Sequence, residues 1–389
     1  MATLAHVSDL HVSTFGDTFH DRSRMVRRSA HPAEAPADRY DVVWEEAGWR
    51  VLRERGKKAK IVIIDPDGYA HAAPSRAEGP ELVDPVERAA QKACRLEARR
   101  AATLAAAPPS DAILEHLARA TPGNVNVRLL RAVRAVARAK PDAVLVTGDV
   151  TDDGDGWELV RAAFAPWADR GRLFVVPGNH DRYLFPIAGA GRPRPTADSK
   201  REAWQRFAAG LGLHLDASGA WFAELPEAEA VLVGLDSCAR PQRRFFRHNG
   251  AIGPAQLAFL RRAGDRAAWR RARHRLVLLH HHVVPLPLGV GRGAPSEIGM
   301  RLDDAKATAE ALDESGATLV LHGHRHVSEE RQPAGCRFRL LAAPSLTLGC
   351  KTGAGPSFWR IELGSAVVCT REPVPLEAVA QEDDPSVQA

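Results

Sequence analysis

Asp, His and Asn side chains close a succession of short apolar runs in this 389-residue chain. Asp9-Leu10-His11 follows residues 2–7, Gly148-Asp149 follows residues 143–146, and Gly178-Asn179-His180-Asp181 follows residues 173–176. Farther on, His280-His281-His282 follows residues 276–279, and His322-Gly323-His324-Arg325-His326 follows residues 318–321. Any one of these clusters is an ordinary turn, since Gly, Asn and Asp favour turn conformations. Recurring at one strand end after another, they argue against chance. A donor set of carboxylate, imidazole and amide oxygen suits manganese, iron or zinc better than calcium or copper. Two such ions about 3.5–4 Å apart form the clamp used for in-line displacement at phosphorus. Asp149, leaving a strand end, is suited to bridging two cations. Asp152 and Asp153 read as helix caps or as supports behind the ligands. Asn179, His180 and Asp181 offer metal binding and proton transfer together.

These residues need strands that end on one side of the molecule. The apolar runs at 173–176 and 276–279 read as buried parallel strands, and ligands of α/β sheets gather at the carboxyl ends of such strands. Leu129, Val133 and Val136 have the i, i+4, i+7 spacing of a helix face. Pro141 introduces the strand at 143–146, a helix at 157–169 follows, and the strand at 173–176 completes a βαβ series with right-handed crossovers. Helices near 199–210, around 256–260 and near 302–315 are expected. Strands are expected near 220–224, 230–235, 336–342, 356–362 and 365–370. Gly/Pro-rich loops at 189–196 and 285–299 flank the site, and residues 376–389 read as a loose tail.

Composition sets the bounds. A hydrophobic fraction of 45% and a charged fraction of 26% are those of a globular protein with an ample core. No apolar run reaches the ~18 residues of a membrane span. Asp9 and His11 stand too near the start for a signal peptide to precede them. Five scattered cysteines, odd in number and without metal-ligand spacing, favour a reducing cytoplasm. The net charge of +5 suits phosphates, nucleic acid or acidic headgroups. The interspersed signs equally fit arginines on solvated helix faces.

The order Asp-x-His, Gly-Asp-x-x-Asp-x-Gly, Gly-Asn-His-Asp, a strand-end His and Gly-His-x-His resembles the calcineurin-like metallophosphoesterase superfamily, over residues 1–15 and about 125–370. The resemblance implies an α/β fold, a four-layered αββα sandwich of two mixed β-sheets flanked by helices. It implies two divalent or trivalent transition-metal ions (Mn, Fe or Zn). Asp9, His11 and His326 would hold one, Asn179, His280 and His324 the other, and Asp149 would bridge them. His280, first after its strand, is the expected ligand, with His281 the alternative. His180 would donate a proton to the leaving group, oriented by Asp181, while a metal-bridging hydroxide attacks phosphorus. The activity implied is hydrolysis of a small phosphorylated substrate, phosphodiesters ahead of monoesters. A DNA-repair-type nuclease shares the motifs, but it carries a long helical extension after the last one, and here only about 60 residues remain; nucleic acid is therefore not the favoured partner. A non-catalytic scaffold of the same fold would be expected to lose ligands, and this chain keeps them all.

One segment departs from the pattern. Between His11 and Gly148 lie 136 residues, where a βαβ unit needs ~30. Residues 20–120 are therefore read as an insertion into a 1–375 domain. It carries the basic cluster Arg50, Arg53, Arg55, Lys57, Lys58 and Lys60, a strand at 61–64 and a turn at 65–68. A helix with Val86, Ala90, Ala93 and Leu96 on one face follows, then a second capped by Ser110 with Ile113, Leu114 and Leu117. A lid, a docking surface and a dimerisation element are the roles open to it.

Overall fold

The computed structural model describes residues 2–13, 16, 40–56, 61–64, 70–72, 84–103, 114–115, 117–118, 123–152, 154–184, 196–239, 248–286, 300–350 and 353–375. Two mixed sheets form its centre. The first runs β15 (Val367–Pro373), β14 (Ser357–Leu363), β1 (Ala2–Val7), β6 (Ala143–Thr147), β7 (Leu173–Val176). The second runs β12 (Glu329–Arg331), β13 (Arg339–Ala342), β11 (Leu319–His322), β10 (His274–Leu278), β9 (Ala230–Gly234), β8 (Trp221–Leu225). β1, β6 and β7 pair in parallel, as do β9, β10, β11 and β13, while the outer strands are antiparallel.

The strand period of two decides which side chains meet. Leu276 and Leu278 enter the core shared with the first sheet, whereas Val277 and Leu279 join a second core outside it. That second core is closed by Leu257, Leu260, Ala311 and Leu312 from the helices Gly253–Asp265 and Ala305–Glu314. On the far side of the first sheet the helix Val125–Arg138 buries Leu129, Val133 and Val136, the three residues whose spacing predicts it. Asn124 caps that helix by accepting from the Asn126 and Val127 amides, which satisfies two of its orphan N–H groups. The result is the expected αββα sandwich. Two indoles tie its sheets together: Trp221 Nε1 donates to the Val175 carbonyl (2.9 Å) and Trp359 Nε1 to Ala342 (2.8 Å). No helix among the described residues is long and apolar enough to cross a membrane.

The segment after β1 builds its own sheet. β2 (Tyr40–Glu46), β3 (Trp49–Glu54), β4 (Ile61–Ile64) and β5 (Ala70–Ala72) pair antiparallel in sequence order. The helix Pro85–Thr103 covers one face, packing Ala89 and Ala93 against Trp49, Val51 and Ile63. Ala89 thus takes the place expected for Ala90. Both ends of the excursion meet: the Val125 amide donates to Gly16 O (2.8 Å), and Asn126 exchanges hydrogen bonds with the Ser13 backbone (2.7 and 3.2 Å). The stem lies two residues beyond His11. Lys57, Lys58, Lys60, Asp153, Ser110, Ile113, the turn at 65–68 and the 376–389 tail lie outside the described residues, as do most of the loops at 189–196 and 285–299.

Candidate metal centre

Every candidate sits just beyond the carboxyl end of a strand: Asp9 and His11 after β1, Asp149 after β6, Asn179 and His180 after β7, His280 after β10, His324 and His326 after β11. The backbone there is strained. Eight non-glycine residues among those described have positive φ, and five of them are Asp9, His11, Asp149, His324 and His326. Each such conformation costs ~1–3 kcal/mol and persists only where surroundings over-determine it. Here they do. The amides of Asp9 and His11 donate to Gly148 and Asp149 carbonyls, Ser345 Oγ donates to Asp9 O (2.6 Å), and Thr347 Oγ1 donates to Leu10 O (2.8 Å). Two glycines let the loops converge. A Cβ on Gly178 would overlap the amide and carboxylate of Asp149, and one on Gly323 would overlap the Ser8 hydroxyl and the Asp9 carboxylate.

Three overlapping groups of donors result. Ligand atoms of Asp9, His11 and His326 lie within 4.8 Å of one another, as do those of Asp149, His280 and His324, and those of His11, Asp149 and His180. His326 Nε2 is 3.2 Å from Asp9 Oδ1 and 3.1 Å from His11 Nε2. Asn179 Oδ1 joins the second group, 3.0 Å from His280 Nε2 and 2.9 Å from His324 Nδ1. Asp149 belongs to both sides, with Oδ2 3.4 Å from His280 Nε2 and 4.0 Å from His11 Nε2.

Outer hydrogen bonds assign one nitrogen of each ring to the centre. His11 Nδ1 donates to Asp152 Oδ1 (2.9 Å), His280 Nδ1 to the Thr147 carbonyl (2.8 Å) and His324 Nε2 to the Met300 carbonyl (3.0 Å). The opposite nitrogens face Asp9 and Asp149 for His11, Asp149 for His280 and Asn179 Oδ1 for His324, as metal-binding imidazoles face the ion when a partner fixes their tautomer. These donors fit two transition-metal ions.

One expected role moves to another residue. Asp181 does not orient His180. Its carboxylate turns beneath the loop and accepts from the amides of Gly178, Val150 and Thr151 and from the Thr151 hydroxyl, at 2.8–3.1 Å. On a helical turn, consecutive side chains diverge by about 100°, so neighbours in sequence point apart. Asp152 takes the role, its Oδ1 standing 3.0 Å from His180 Nδ1 and 2.9 Å from His11 Nδ1. The His180 backbone is held at both ends, its amide on Asp149 Oδ1 (2.8 Å) and its carbonyl on the buried Lys200 ammonium (2.7 Å). The His281 ring packs against His324 (centroids 4.3 Å apart), but both its nitrogens are engaged elsewhere, with Ser237 Oγ (2.8 Å) and the His248 carbonyl (2.7 Å). His248, Ser345, Thr347 and Lys200 carry no motif, and sequence reading passes over them.

Charge inside the centre is redistributed. Burial works against protonation of His11, but the Asp152 hydrogen bond and charge, with Asp149 and Asp9, push its pKa up to about 9. Burial likewise opposes protonation of His280, and the Asp149 carboxylate pushes it up to about 9. Burial alone would raise Asp9; the His326 imidazole holds it at about 2. For Asp181, burial and then the Asp149 charge raise the carboxyl. Below pH 9, metal-free protein therefore keeps protons on His11 and His280 that a cation must displace. Manganese binding at pH 7 should release about two protons per chain, and affinity should climb from pH 6 until about 9. Titration calorimetry in buffers of differing ionisation enthalpy reads this directly; binding without proton release at pH 7 would refute it.

Residues 125–328, a little over half of the chain, match the family model described as calcineurin-like phosphoesterase. No curated protein matches the sequence. Among solved structures, a dimetal phosphatase from Danio rerio aligns at 16% identity and TM-score 0.44, covering 64% of this chain and 86% of that one. The sulfate thiohydrolase SoxB of Thermus thermophilus aligns at 18% identity and TM-score 0.40, covering 96% and 56%. A purple acid phosphatase of yellow lupin (Lupinus luteus) aligns at 10% identity and TM-score 0.39, covering 63% and 47%.

Proposed function

From the premise that this chain belongs to the calcineurin-like phosphoesterases, metal-dependent hydrolases of phosphoric esters, we propose that it cleaves a small phosphodiester at a two-cation centre with His180 as general acid. One observation supports the reading: Asp149 Oδ2 stands between the two sides, 3.4 Å from His280 Nε2 and 4.0 Å from His11 Nε2, so a single carboxylate would serve two cation sites. Asp9, His11 and His326 would hold one ion, and Asn179, His280 and His324 the other, the ions being manganese, iron or zinc. Bound cations supply Lewis acidity toward phosphoryl oxygens and acidify the attacking water. The chain's own work is orientation and proton delivery. His180 packs edge-on to His11 with ring centroids 4.8 Å apart, at the edge of the centre beside His11 and Asp149. In the imidazolium form its Nδ1–H donates to Asp152 and its Nε2–H is left to give a proton to the departing alkoxide.

The unit between Gly16 and Asn124 is the candidate selector of substrate, because its stem stands beside His11 and its hairpin exposes Arg50, Arg53 and Arg55. Five free thiols support assignment to a reducing cytoplasm. The test is a comparison of full-length and stem-shortened protein, reconstituted with manganese, on aryl phosphomonoesters, aryl diesters, cyclic nucleotides and single-stranded DNA. Diesters should be cleaved fastest, and shortening should spare aryl diesters while lowering activity on the preferred natural-type ester. No hydrolysis by two-metal protein would overturn the assignment, monoester preference would overturn its finer part, and preference for DNA would favour the nuclease.

A further inference from the structure

Outside the motifs, His248 stands against a candidate ligand, half-buried at the start of the segment that leads into the helix Gly253–Asp265. Its Nδ1 is 3.3 Å from Asn179 Nδ2. An amide nitrogen only donates, so His248 Nδ1 must accept, and its ring proton sits on Nε2. The same reasoning extends outward. The His248 carbonyl can only accept, so His281 Nε2 carries the proton that lies 2.7 Å from it. His281 Nδ1 is then an acceptor, and Ser237 Oγ at 2.8 Å is its donor. Ser237 is fixed in turn by the His281 amide, which donates to Oγ (3.2 Å). Gly250 makes room for this: a Cβ there would overlap the His281 ring.

The direction of every bond follows from one end to the other, and the last bond falls on a candidate metal ligand. Asn amides have two chemically different ends of nearly equal size, and only the oxygen binds a cation. Asn179 Oδ1 points between His280 and His324, so some group must hold Nδ2 away from them. We propose that the relay Ser237–His281–His248 orients the Asn179 amide, and that His248 is thereby a positioning residue that tightens the Asn179–His280–His324 cation site without touching the Asp9–His11–His326 site. The inference rests on the two-cation reading above. It also gives a role to His281, the strand-end histidine whose two ring nitrogens are engaged by Ser237 and His248.

The experiment uses metal-free full-length protein and manganese alone as the probe, with calorimetry for affinities and electron paramagnetic resonance for coupled against isolated ions. In His248→Leu, which removes the acceptor, one of the two ions should bind ~10–100-fold more weakly, the range for loss of a partner behind a metal ligand. The other ion should bind unchanged, and the spectrum should shift from coupled pairs to isolated ions. His248→Asn returns an acceptor oxygen near the Nδ1 position and should restore the second ion. In a chain carrying Asp9→Asn, His248→Leu should weaken the remaining binding event. Ser237→Ala, farther from the ions, should give a smaller loss at the same site, and it decides the matter if His248→Leu does not fold. Equal weakening of both ions, no weakening, or an Asn variant as poor as Leu would overturn the relay. Wild-type protein binding fewer than two ions would instead bring down the two-cation premise, before any variant is compared.

Discussion

Asp149→Asn should strip the protein of both cations together and lower turnover by about 10³-fold or more, because cation clamps supply several kcal/mol of transition-state stabilisation and each 1.36 kcal/mol is tenfold in rate. Among the candidate ligands only Asp149 shares a donor group with His11 and another with His280 and His324, so no other single change should do this. The amide keeps an oxygen for the His180 N–H that now lies 2.8 Å from Asp149 Oδ1, and the loop should stay folded. What disappears is the negative charge. Buried and flanked by His280, His180 and His11, Asp149 is held well below the usual carboxylate range despite the opposing effect of burial. Its charge is also a main reason that His280 keeps its proton. The variant should therefore bind metal weakly and release fewer protons when it does. Asp9→Asn is the control, expected to lose one ion and retain the other. If Asp149→Asn still binds two ions with ordinary affinity, Asp149 does not bridge.

The sequence carried the strand ends well because two signals coincide there. A run such as residues 173–176 must be a buried strand to hide four apolar side chains, and whatever polar residue follows is delivered to the carboxyl edge of the sheet. Parallel order then brings the five strand ends together, which is why residues as far apart as Asp9 and His326 meet at 3.2 Å. The hairpin at residues 40–54 was harder to read, since its apolar residues come in runs such as Val42-Val43-Trp44 and Val51-Leu52, and a register shift between Val42 and Trp44 breaks the alternation of a strand. β12 is only three residues long and leaves little periodicity to detect.

Roles inside the site were legible only to the level of the motif. Adjacency suggested Asp181 as the partner of His180, whereas the turn directs Asp181 inward and leaves Asp152, from the preceding strand end, to reach the imidazole. His248 follows an arginine-rich stretch and gains its meaning only from the carbonyl and ring nitrogen that face His281 and Asn179. Such contacts depend on how loops from different strands pack, and nothing in local spacing encodes them.

His180→Ala should separate proton delivery from metal binding. The side chain lies outside the Asp9–His11–His326 and Asn179–His280–His324 groups, and alanine keeps the backbone N–H on Asp149, so two ions should still bind with wild-type affinity. Turnover of an alkyl phosphodiester, whose leaving alkoxide needs a proton, should fall by ~10²–10⁴-fold, the contribution of a placed general acid. A nitrophenyl diester departs as a stable phenolate and should lose far less, with the ratio of the two losses as the reading. Asp152→Asn should show the same leaving-group dependence in milder form, because it weakens the hydrogen bond that sets His180, and it should also loosen the ion held by His11. Asp181→Asn should behave differently. It leaves four inward donors with a poorer acceptor, so its cost should appear as a lower melting temperature at unchanged leaving-group dependence. Equal losses of His180→Ala on alkyl and aryl esters would mean that His180 binds the phosphoryl group and delivers no proton, and a leaving-group effect in Asp181→Asn instead of Asp152→Asn would return the orienting role to the sequence neighbour.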